Sequence, residues 1–199
     1  MEKKFKIGIL ALQGDYEKHY RIFDQLGTEV FYVKLPDEFN EIDGLVIPGG
    51  ESPTMSRLIN TYNLRETFEK LVEDNVPIFG TCAGAIMLAA DVVDAPAGFS
   101  LGIMDIKIAR NAYGRQRESF ESEVEVTWKG KTRKIPGVFI RAPKILEMGE
   151  GVEVLGKLEN GEPVLVRQGP FLAATFHPEL TDDTTVQEIF LEIIGEYRK

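Results

Sequence analysis

The chain contains a single cysteine, Cys82, in the segment Gly80-Thr81-Cys82-Ala83-Gly84. The segment lies between a predicted strand and a predicted helix, which is the nucleophile-elbow pattern with sulfur in place of a serine oxygen. Its glycines allow a tight turn, and the helix N-terminus behind the thiol favours the attacking thiolate. A lone cysteine is more often a small buried apolar residue. Here the glycine spacing and the strand-to-helix context favour a nucleophile.

Two histidines could serve as the base of such a nucleophile. His19 lies in a charged stretch of the first predicted helix and is predicted to be a solvated surface residue. His177 follows an apolar strand and precedes Pro178, and Glu179 can accept a hydrogen bond from its imidazole and fix its tautomer. A loop histidine or a turn acid is a weak signal by itself. Together, Cys82, His177 and Glu179 form a complete activation set.

Acyl transfer also needs hydrogen-bond donors that stabilise an oxyanion and side chains that bind the substrate. The segment 48–52, with sequence PGGES, follows the third predicted strand, so its backbone N–H groups can face Cys82, although a plain turn has the same composition. We expect backbone amides near Gly50 and Ala83 to stabilise the oxyanion. Arg110 and Arg141 are candidate clamps for a substrate carboxylate, although isolated arginines more often serve solubility.

The first half of the chain alternates short apolar runs with amphipathic stretches, which is typical of βαβ units and a parallel sheet. Strands are predicted at residues 6–12, 29–35, 43–47 and 77–80, and helices at 16–26, 52–75 (interrupted at 60–63) and 84–93. Each strand leads into a loop that begins a helix. Open α/β sheets bind their ligands at that edge.

The second half has a different pattern. Residues 118–128 alternate apolar with acidic or hydroxyl side chains, which indicates an antiparallel strand with one wet face. Further strands are predicted at 138–142, 152–158, 163–167 and 171–176, and an amphipathic helix at 186–197. We therefore expect residues 1–199 to form one three-layer α/β domain, with a mixed and mostly parallel central sheet that gains antiparallel strands late.

Composition excludes several classes of partner and site. The 199 residues carry 23 Lys and Arg against 32 Asp and Glu, a net charge of -9, which disfavours nucleic acid and anionic lipid. One cysteine excludes an internal disulfide and a cysteine-rich metal site, and we expect no metal. No run approaches the roughly 20 apolar residues of a membrane span. A cytoplasmic protein is expected.

Several blocks in chain order resemble a known family. They are Leu10-Ala11-Leu12-Gln13-Gly14-Asp15, Pro48-Gly49-Gly50-Glu51-Ser52, the cysteine elbow, Arg110-Asn111 with Gly114-Arg115-Gln116, Val138-Phe139-Ile140-Arg141-Ala142-Pro143 and Phe176-His177-Pro178-Glu179-Leu180-Thr181. This set resembles the glutaminase subunits of pyridoxal 5′-phosphate synthase, within the class I glutamine amidotransferases. The elbow and the His-Pro-Glu segment are shared across that superfamily, so the specific resemblance depends on the other blocks.

The resemblance implies a flavodoxin-like fold and a triad of Cys82, His177 and Glu179. It implies that the glutamine substrate is held by Gly50, Glu51, Ser52, Arg110, Ile140 and Arg141, and that Gln13 lies near the oxyanion site and a partner interface. The ammonia would pass to a barrel-shaped synthase partner that forms pyridoxal 5′-phosphate from pentose and triose phosphates. That coenzyme would be a product, so no cofactor is expected in this chain. Pro53 and Ala109 depart from the usual family pattern.

Two alternatives remain open from the sequence. One is an amidotransferase subunit of another pathway, such as histidine or purine synthesis, which would share the triad but not the Arg-Asn and Gly-Arg-Gln block. The other is a non-catalytic stress or redox protein with a cysteine elbow, in which Cys82 would be an oxidation sensor. The second alternative leaves Glu179 without a role.

Overall fold

The computed structural model describes residues 4–113 and 119–198. Their strands are β1 (Lys6–Leu10), β2 (Glu29–Val33), β3 (Gly44–Ile47), β4 (Ile78–Thr81), β5 (Ala89–Val92), β6 (Met104–Ala109), β7 (Ser119–Trp128), β8 (Lys131–Ile140), β9 (Lys144–Met148), β10 (Glu153–Lys157), β11 (Pro163–Gln168) and β12 (Phe171–Ala174). The α-helices are α1 (Tyr16–Gln25), α2 (Ser52–Thr61), α3 (Arg65–Glu73), α4 (Ala83–Leu88) and α5 (Thr185–Tyr197), with 3₁₀ turns at Pro36–Phe39 and Pro178–Leu180.

Nine strands form one mixed sheet in the order β2-β1-β3-β4-β12-β11-β10-β7-β8. The five strands from β2 to β12 pair in parallel. From β12 onward, every neighbouring pair is antiparallel. The predicted mixed sheet, parallel in the first half and antiparallel late, is therefore confirmed.

Apolar side chains cover both faces of this sheet. Along β3, Leu45 and Ile47 belong to one buried cluster and Val46 to the other, as the two-residue repeat of a strand requires. The first cluster includes side chains of α2, α3 and α4, and the second includes those of α1 and α5. Fully burying one Phe or Ile side chain stabilises the fold by about 1.5–3 kcal/mol. The result is the predicted three-layer arrangement of helices, sheet and helices.

The helices follow their apolar spacing. α5 buries Val186, Ile189, Phe190, Ile193 and Ile194, which recur at three- and four-residue intervals. The predicted interruption after α2 is confirmed, because the helix ends at Thr61 and Asn63 adopts a left-handed conformation with φ of 55° before α3 begins. Within the described ranges, no helix is long and apolar enough to cross a membrane.

The predicted helix at residues 84–93 is only half right. α4 ends at Leu88, and residues 89–92 form β5, which pairs in parallel with β6. β6 in turn pairs antiparallel with β9, so these strands form a separate three-stranded sheet. Neither β6 nor β9 was predicted. β8 also begins at Lys131, well before the predicted residue 138, because it pairs along its whole length with β7.

Candidate active site

The two reactive side chains follow neighbouring strands of the sheet. Cys82 comes directly after β4, and His177 comes shortly after β12. These strands are parallel and pair Thr81 with Ala174, and the Cys82 N–H donates to the Ala174 carbonyl at 2.8 Å. The carboxyl ends of neighbouring parallel strands meet at one edge of the sheet, so the cysteine and histidine lie together there despite their distance in sequence.

Cys82 occupies a strained backbone conformation. Its φ of 49° and ψ of -103° place it at positive φ, which is uncommon for a residue other than glycine and typical of a nucleophile held on a sharp turn. Behind the turn, a Cβ on Gly84 would lie 2.0 Å from the Ile47 carbonyl oxygen, so only glycine fits against β3. The Cys82 Sγ is nearly buried and lies 3.8 Å from the Ile140 carbonyl oxygen.

Contacts of both the backbone and the ring hold His177 in place. Its Nδ1 lies 2.7 Å from Glu179 Oε1, and its backbone N–H donates to the Val138 carbonyl at 2.8 Å. A Cβ on Gly49 would lie 2.4 Å from the ring Cε1, so the turn after β3 packs directly against the ring. The same Cβ would lie 3.4 Å from Cys82 Cβ, so the cysteine and the imidazole both border this turn. Cysteine, histidine and carboxylate therefore lie side by side, in that order.

The electrostatics of this chain favour a charged imidazole. Burial is the largest single influence on His177 and lowers its pKa, but the hydrogen bonds and charges of Cys82 and Glu179 together raise that pKa to about 10. Burial raises the pKa of Glu179, but His19 and His177 outweigh it and hold that pKa below its usual range. At neutral pH a protonated imidazole thus lies between a carboxylate and the sulfur, the arrangement that activates cysteine nucleophiles.

A cleft of about 480 Å³ opens in front of the sulfur, within the range of small-molecule sites. Most of the predicted site residues line it: Gln13, Gly50, Glu51, Ser52, Cys82, Arg110, Ile140, Arg141 and His177. Glu179 and Ala83 lie behind this wall and are almost fully buried. Ala83 is the first residue of α4, where backbone N–H groups have no partner within the helix.

Charged groups of both signs line the open side of the cleft. Arg141 Nη1 lies 3.3 Å from Glu51 Oε1, and both side chains are more than half exposed. Arg110 stacks on the Phe99 ring with its guanidinium carbon 5.0 Å from the ring centre. The cleft therefore offers a carboxylate and two guanidinium groups to a zwitterionic substrate.

The Gln13 side chain is hydrogen-bonded to the glycine turn that follows β3. Its Oε1 accepts a hydrogen bond from the Glu51 N–H at 2.8 Å, and the Asp15 N–H donates to the Gly49 carbonyl at 3.2 Å. The segment after β1 is thus bound to the turn after β3. This contact places Gln13 beside Gly50, the residue that we expected at the oxyanion site.

The prediction for His19 was wrong. Its side chain is fully buried, with Nε2 at 3.1 Å from Thr81 Oγ1 and 3.5 Å from Glu179 Oε2. The apolar periodicity of α1 could have indicated this, because Ile22, Phe23 and Leu26 follow His19 at three, four and seven residues.

The cleft also has lining residues that were not assigned to the site, namely Asp15, Pro53, Ile86, Asn111 and Leu180. Asp15, Asn111 and Leu180 belong to the quoted blocks, but nothing in their side chains indicated that they face a cleft. Gly114, Arg115 and Gln116 of the resemblance lie outside the described residues.

Comparisons with known proteins show the family and the fold of the chain. The model of the SNO glutamine amidotransferase family matches residues 9–196. The chain is 49% identical to the pyridoxal 5′-phosphate synthase subunit PdxT of Thermosipho africanus, over 95% of this chain and 98% of that protein. It also superimposes on a crystal structure of a glutamine amidotransferase with a TM-score of 0.89 and 45% identity, covering 95% of this chain and 98% of that one.

A more distant likeness concerns the fold alone. The structure of PurLQS from Thermotoga maritima matches with a TM-score of 0.73 at 15% identity, covering 99% of this chain and 100% of that one. The predicted flavodoxin-like class I amidotransferase fold is confirmed by these structural neighbours. With a family model that matches nearly the whole length and a relative that shares about half of its residues, the chain belongs to the SNO glutamine amidotransferase family.

Proposed function

We propose that this protein hydrolyses L-glutamine to L-glutamate and ammonia through a thioester on Cys82, and that the ammonia feeds the synthesis of pyridoxal 5′-phosphate. The observation that carries the chemistry is the grouping of Cys82, His177 and Glu179: Cys82 and His177 line one cleft, and His177 Nδ1 lies 2.7 Å from Glu179 Oε1. The family description and the name of the Thermosipho africanus relative support the substrate and the pathway.

The first half of the reaction forms the thioester. His177 holds the proton taken from the thiol, and the Cys82 sulfur attacks the side-chain amide carbon of glutamine. Backbone N–H groups near Gly50 and Ala83 stabilise the oxyanion, a contribution of about 3–4 kcal/mol for one donor in comparable enzymes. His177 then gives its proton to the departing nitrogen, so that ammonia leaves and the glutamyl thioester remains.

The second half releases glutamate. His177, now neutral, takes a proton from a water molecule as that water attacks the thioester carbon. The C–S bond then breaks, and the proton either stays on the imidazole or passes to the departing sulfur. Glu179 stays ionised throughout and holds the ring so that the nitrogen opposite Nδ1 faces the sulfur. One water enters for each glutamine, and glutamate and ammonia leave.

The walls of the cleft suit the two charged groups on the α-carbon of glutamine. In our proposal, Arg110 and Arg141 bind its carboxylate and Glu51 binds its ammonium group. Gly50, Ser52 and Ile140 complete the binding set, and all six line the cleft. Glu51 and Arg141 pair with each other at 3.3 Å. Substrate binding would replace this one solvated ion pair by two, one from Glu51 to the ammonium group and one from Arg141 to the carboxylate.

The protein partner in the proposal is a synthase. A pyridoxal 5′-phosphate synthase subunit of barrel fold receives the ammonia, which is why the coenzyme is a product of the complex and not a cofactor of this chain. The relatives' name favours this pathway over the histidine and purine alternatives. Family membership favours an enzyme over the redox-sensor alternative. We place the activity in the cytoplasm, where a catalytic thiol stays reduced.

The proposal is tested with the purified chain and its synthase partner. The wild-type complex should release ammonia from glutamine and should form pyridoxal 5′-phosphate from pentose and triose phosphates. Cys82→Ala should abolish both reactions with glutamine, yet the same complex should still form the coenzyme when an ammonium salt is supplied. Thr132→Ala, an exposed substitution on β8, is the control and should retain wild-type rates.

Each part of the proposal has its own contrary result. Undiminished glutamine turnover in Cys82→Ala would contradict the thioester mechanism. Coenzyme formation that requires added ammonium even with the wild-type chain would contradict ammonia transfer. We also expect the partner to stimulate glutamine hydrolysis, and equal rates with and without the synthase would count against activation by the partner.

A further inference from the structure

A buried histidine that the proposed mechanism does not use lies directly behind the triad. His19 lies near the start of α1 and has a fully buried side chain. Its Nε2 lies 3.1 Å from Thr81 Oγ1 and 3.5 Å from Glu179 Oε2. Thr81 immediately precedes the nucleophile. His19 therefore contacts both the nucleophile turn and the triad carboxylate.

The surroundings keep this imidazole neutral. Burial lowers the pKa of His19, and the positive charge of His177 lowers it further, while Glu179 and Asp15 act in the opposite direction without prevailing. The ring also contacts an apolar neighbour, since it stands edge-on to Phe79 with 6.3 Å between ring centres. A neutral imidazole has one N–H, so the position of that proton decides what His19 can do.

The contacts favour a proton on Nε2. His19 Nδ1 is buried without a hydrogen-bond partner among the described residues. A proton on Nδ1 would be a buried donor with no acceptor, whereas an unprotonated Nδ1 leaves only a lone pair unpaired, which costs less. With the proton on Nε2, the N–H can donate to Thr81 Oγ1 at 3.1 Å, and Glu179 Oε2 lies 3.5 Å from the same nitrogen. The donor nitrogen is thus adjacent to the triad carboxylate.

Glu179 has an oxygen available for that donor. Its Oε1 is taken by His177 Nδ1 at 2.7 Å. Its Oε2 is buried and makes no hydrogen bond of good geometry with any described residue, and His19 Nε2 lies 3.5 Å from it. A hydrogen bond between the two requires a small shift of either side chain, since an N–H···O bond spans about 3 Å. A carboxylate held at both oxygens cannot rotate away from the imidazole that it orients.

We propose that His19 is a positioning residue for the glutaminase reaction: its Nε2–H holds Glu179 Oε2 so that Oε1 stays aligned with His177. This inference rests on the proposed function, because it concerns the same triad. The competing interpretation is a structural histidine whose only task is to fill the core beneath Thr81. The two interpretations differ in what happens to His177 when the donor is removed but the volume is kept.

Two substitutions separate the donor from the volume. His19→Phe keeps an aromatic ring without any N–H, and His19→Gln keeps an amide N–H close to the position of Nε2. We expect His19→Phe to lower kcat by about 10-fold to 100-fold with KM changed less than about twofold, since a small misplacement of a catalytic group has effects of that size. His19→Gln should restore most of kcat. Ile22→Val, on the same helix face, is the packing control and should behave as wild type.

The pH dependence supplies a second readout. A less firmly held Glu179 supports the imidazolium of His177 less, so the alkaline limb of kcat/KM should move to lower pH in His19→Phe and return toward wild type in His19→Gln. The chain has two histidines, so His177 is the only one left in each variant. NMR titration of its ring measures the same shift without glutamine or the synthase.

The outcomes are distinguishable. A folded His19→Phe with wild-type kcat and an unshifted His177 titration would overturn the inference. So would equal losses in the Phe and Gln variants with no change in that titration, because this is what a core-filling role predicts. If the wild-type complex releases no ammonia from glutamine, the proposed function fails, while the NMR comparison still tests whether His19 positions the Glu179–His177 pair.

Discussion

The ionisation of His177 depends on two neighbouring residues. Glu179 accepts from one side of its ring, and Cys82 contacts the other. The sequence predicted all three members of this set, because the elbow and the His-Pro-Glu segment are local patterns with a chemical reason. For His19 the signals in the sequence conflict. Its charged neighbours suggested a surface position, while the apolar spacing of α1 placed it on the face that packs against β4.

Replacing the triad carboxylate tests this dependence. Glu179→Gln keeps the shape of the side chain but removes its charge, so the pKa of His177 should fall below its value of about 10. We expect kcat to fall by about 100-fold or more, since an unanchored or wrongly protonated imidazole cannot relay the proton. Glutaminase assays and NMR titration of His177 measure both effects.

The control for that substitution is Glu188→Gln, which removes an exposed carboxylate from α5. It should change neither kcat nor the His177 titration. If Glu179→Gln retained more than half of the wild-type kcat, Glu179 would not be the orienting acid, and the role assigned to it would have to be withdrawn.

Around the nucleophile, the elements set by a local sequence pattern were predictable. The elements that depend on pairing with a distant strand were not. The turn from β4 into α4 follows from its glycines. The end of α4 at Leu88 does not, because residues 89–92 continue the apolar pattern of the helix and become a strand only by pairing with β6. β6 begins beyond a loop of irregular sequence, and its partner β9 lies still further along the chain.

Two glycine substitutions test the packing of the elements in opposite directions. In Gly84→Ala the new Cβ would lie 2.0 Å from the Ile47 carbonyl oxygen, so α4 must move away from β3. We expect a loss of about 1–3 kcal/mol in the free energy of unfolding, the usual range for overpacking, together with loss of glutaminase activity.

The matched change is Gly195→Ala in α5, where the nearest atom to the new Cβ is Phe5 Cζ at 3.7 Å. This contact is ordinary, and alanine favours a helix over glycine, so the free energy of unfolding should rise by about 0.5–1 kcal/mol with unchanged activity. Urea unfolding of both variants measures the two effects. Equal destabilisation by both would contradict the close packing of the elbow on β3.

At the scale of the molecule, one mixed sheet with helices on both faces brings the site together. The change from parallel to antiparallel strands was predictable from the alternation in residues 118–128 and the late short strands. The strand order was not, because β12, the last strand of the chain, lies between β4 and β11. That residues 1–199 form a single domain stays a prediction.

The Glu179–His177 pair should appear in the pH dependence of the whole fold. A histidine whose folded pKa of about 10 exceeds its unfolded value of 6.5 contributes stability that is full below about pH 6.5 and is lost as pH rises through 10. Glu179→Gln removes the part of that contribution that comes from Glu179 and leaves the part that comes from Cys82. The gap in free energy of unfolding between wild type and Glu179→Gln should therefore be largest near pH 6.5 and should shrink toward pH 10.

Urea unfolding of both proteins at a series of pH values between about 6.5 and 10 measures this gap. Comparing two proteins cancels the titration of groups that both retain. A gap that stays constant or widens over this range would show that His177 does not hold its proton through the charge of Glu179.

The position of β12 has a consequence for the protein during its translation. Cys82 and its elbow belong to the first half of the chain, but His177 and Glu179 are translated late, after β12. A ribosome-bound or truncated chain that lacks this strand has the thiol without its base. In the proposed mechanism, glutamine hydrolysis can therefore begin only after the last strand has joined the sheet, and incomplete chains hydrolyse no glutamine.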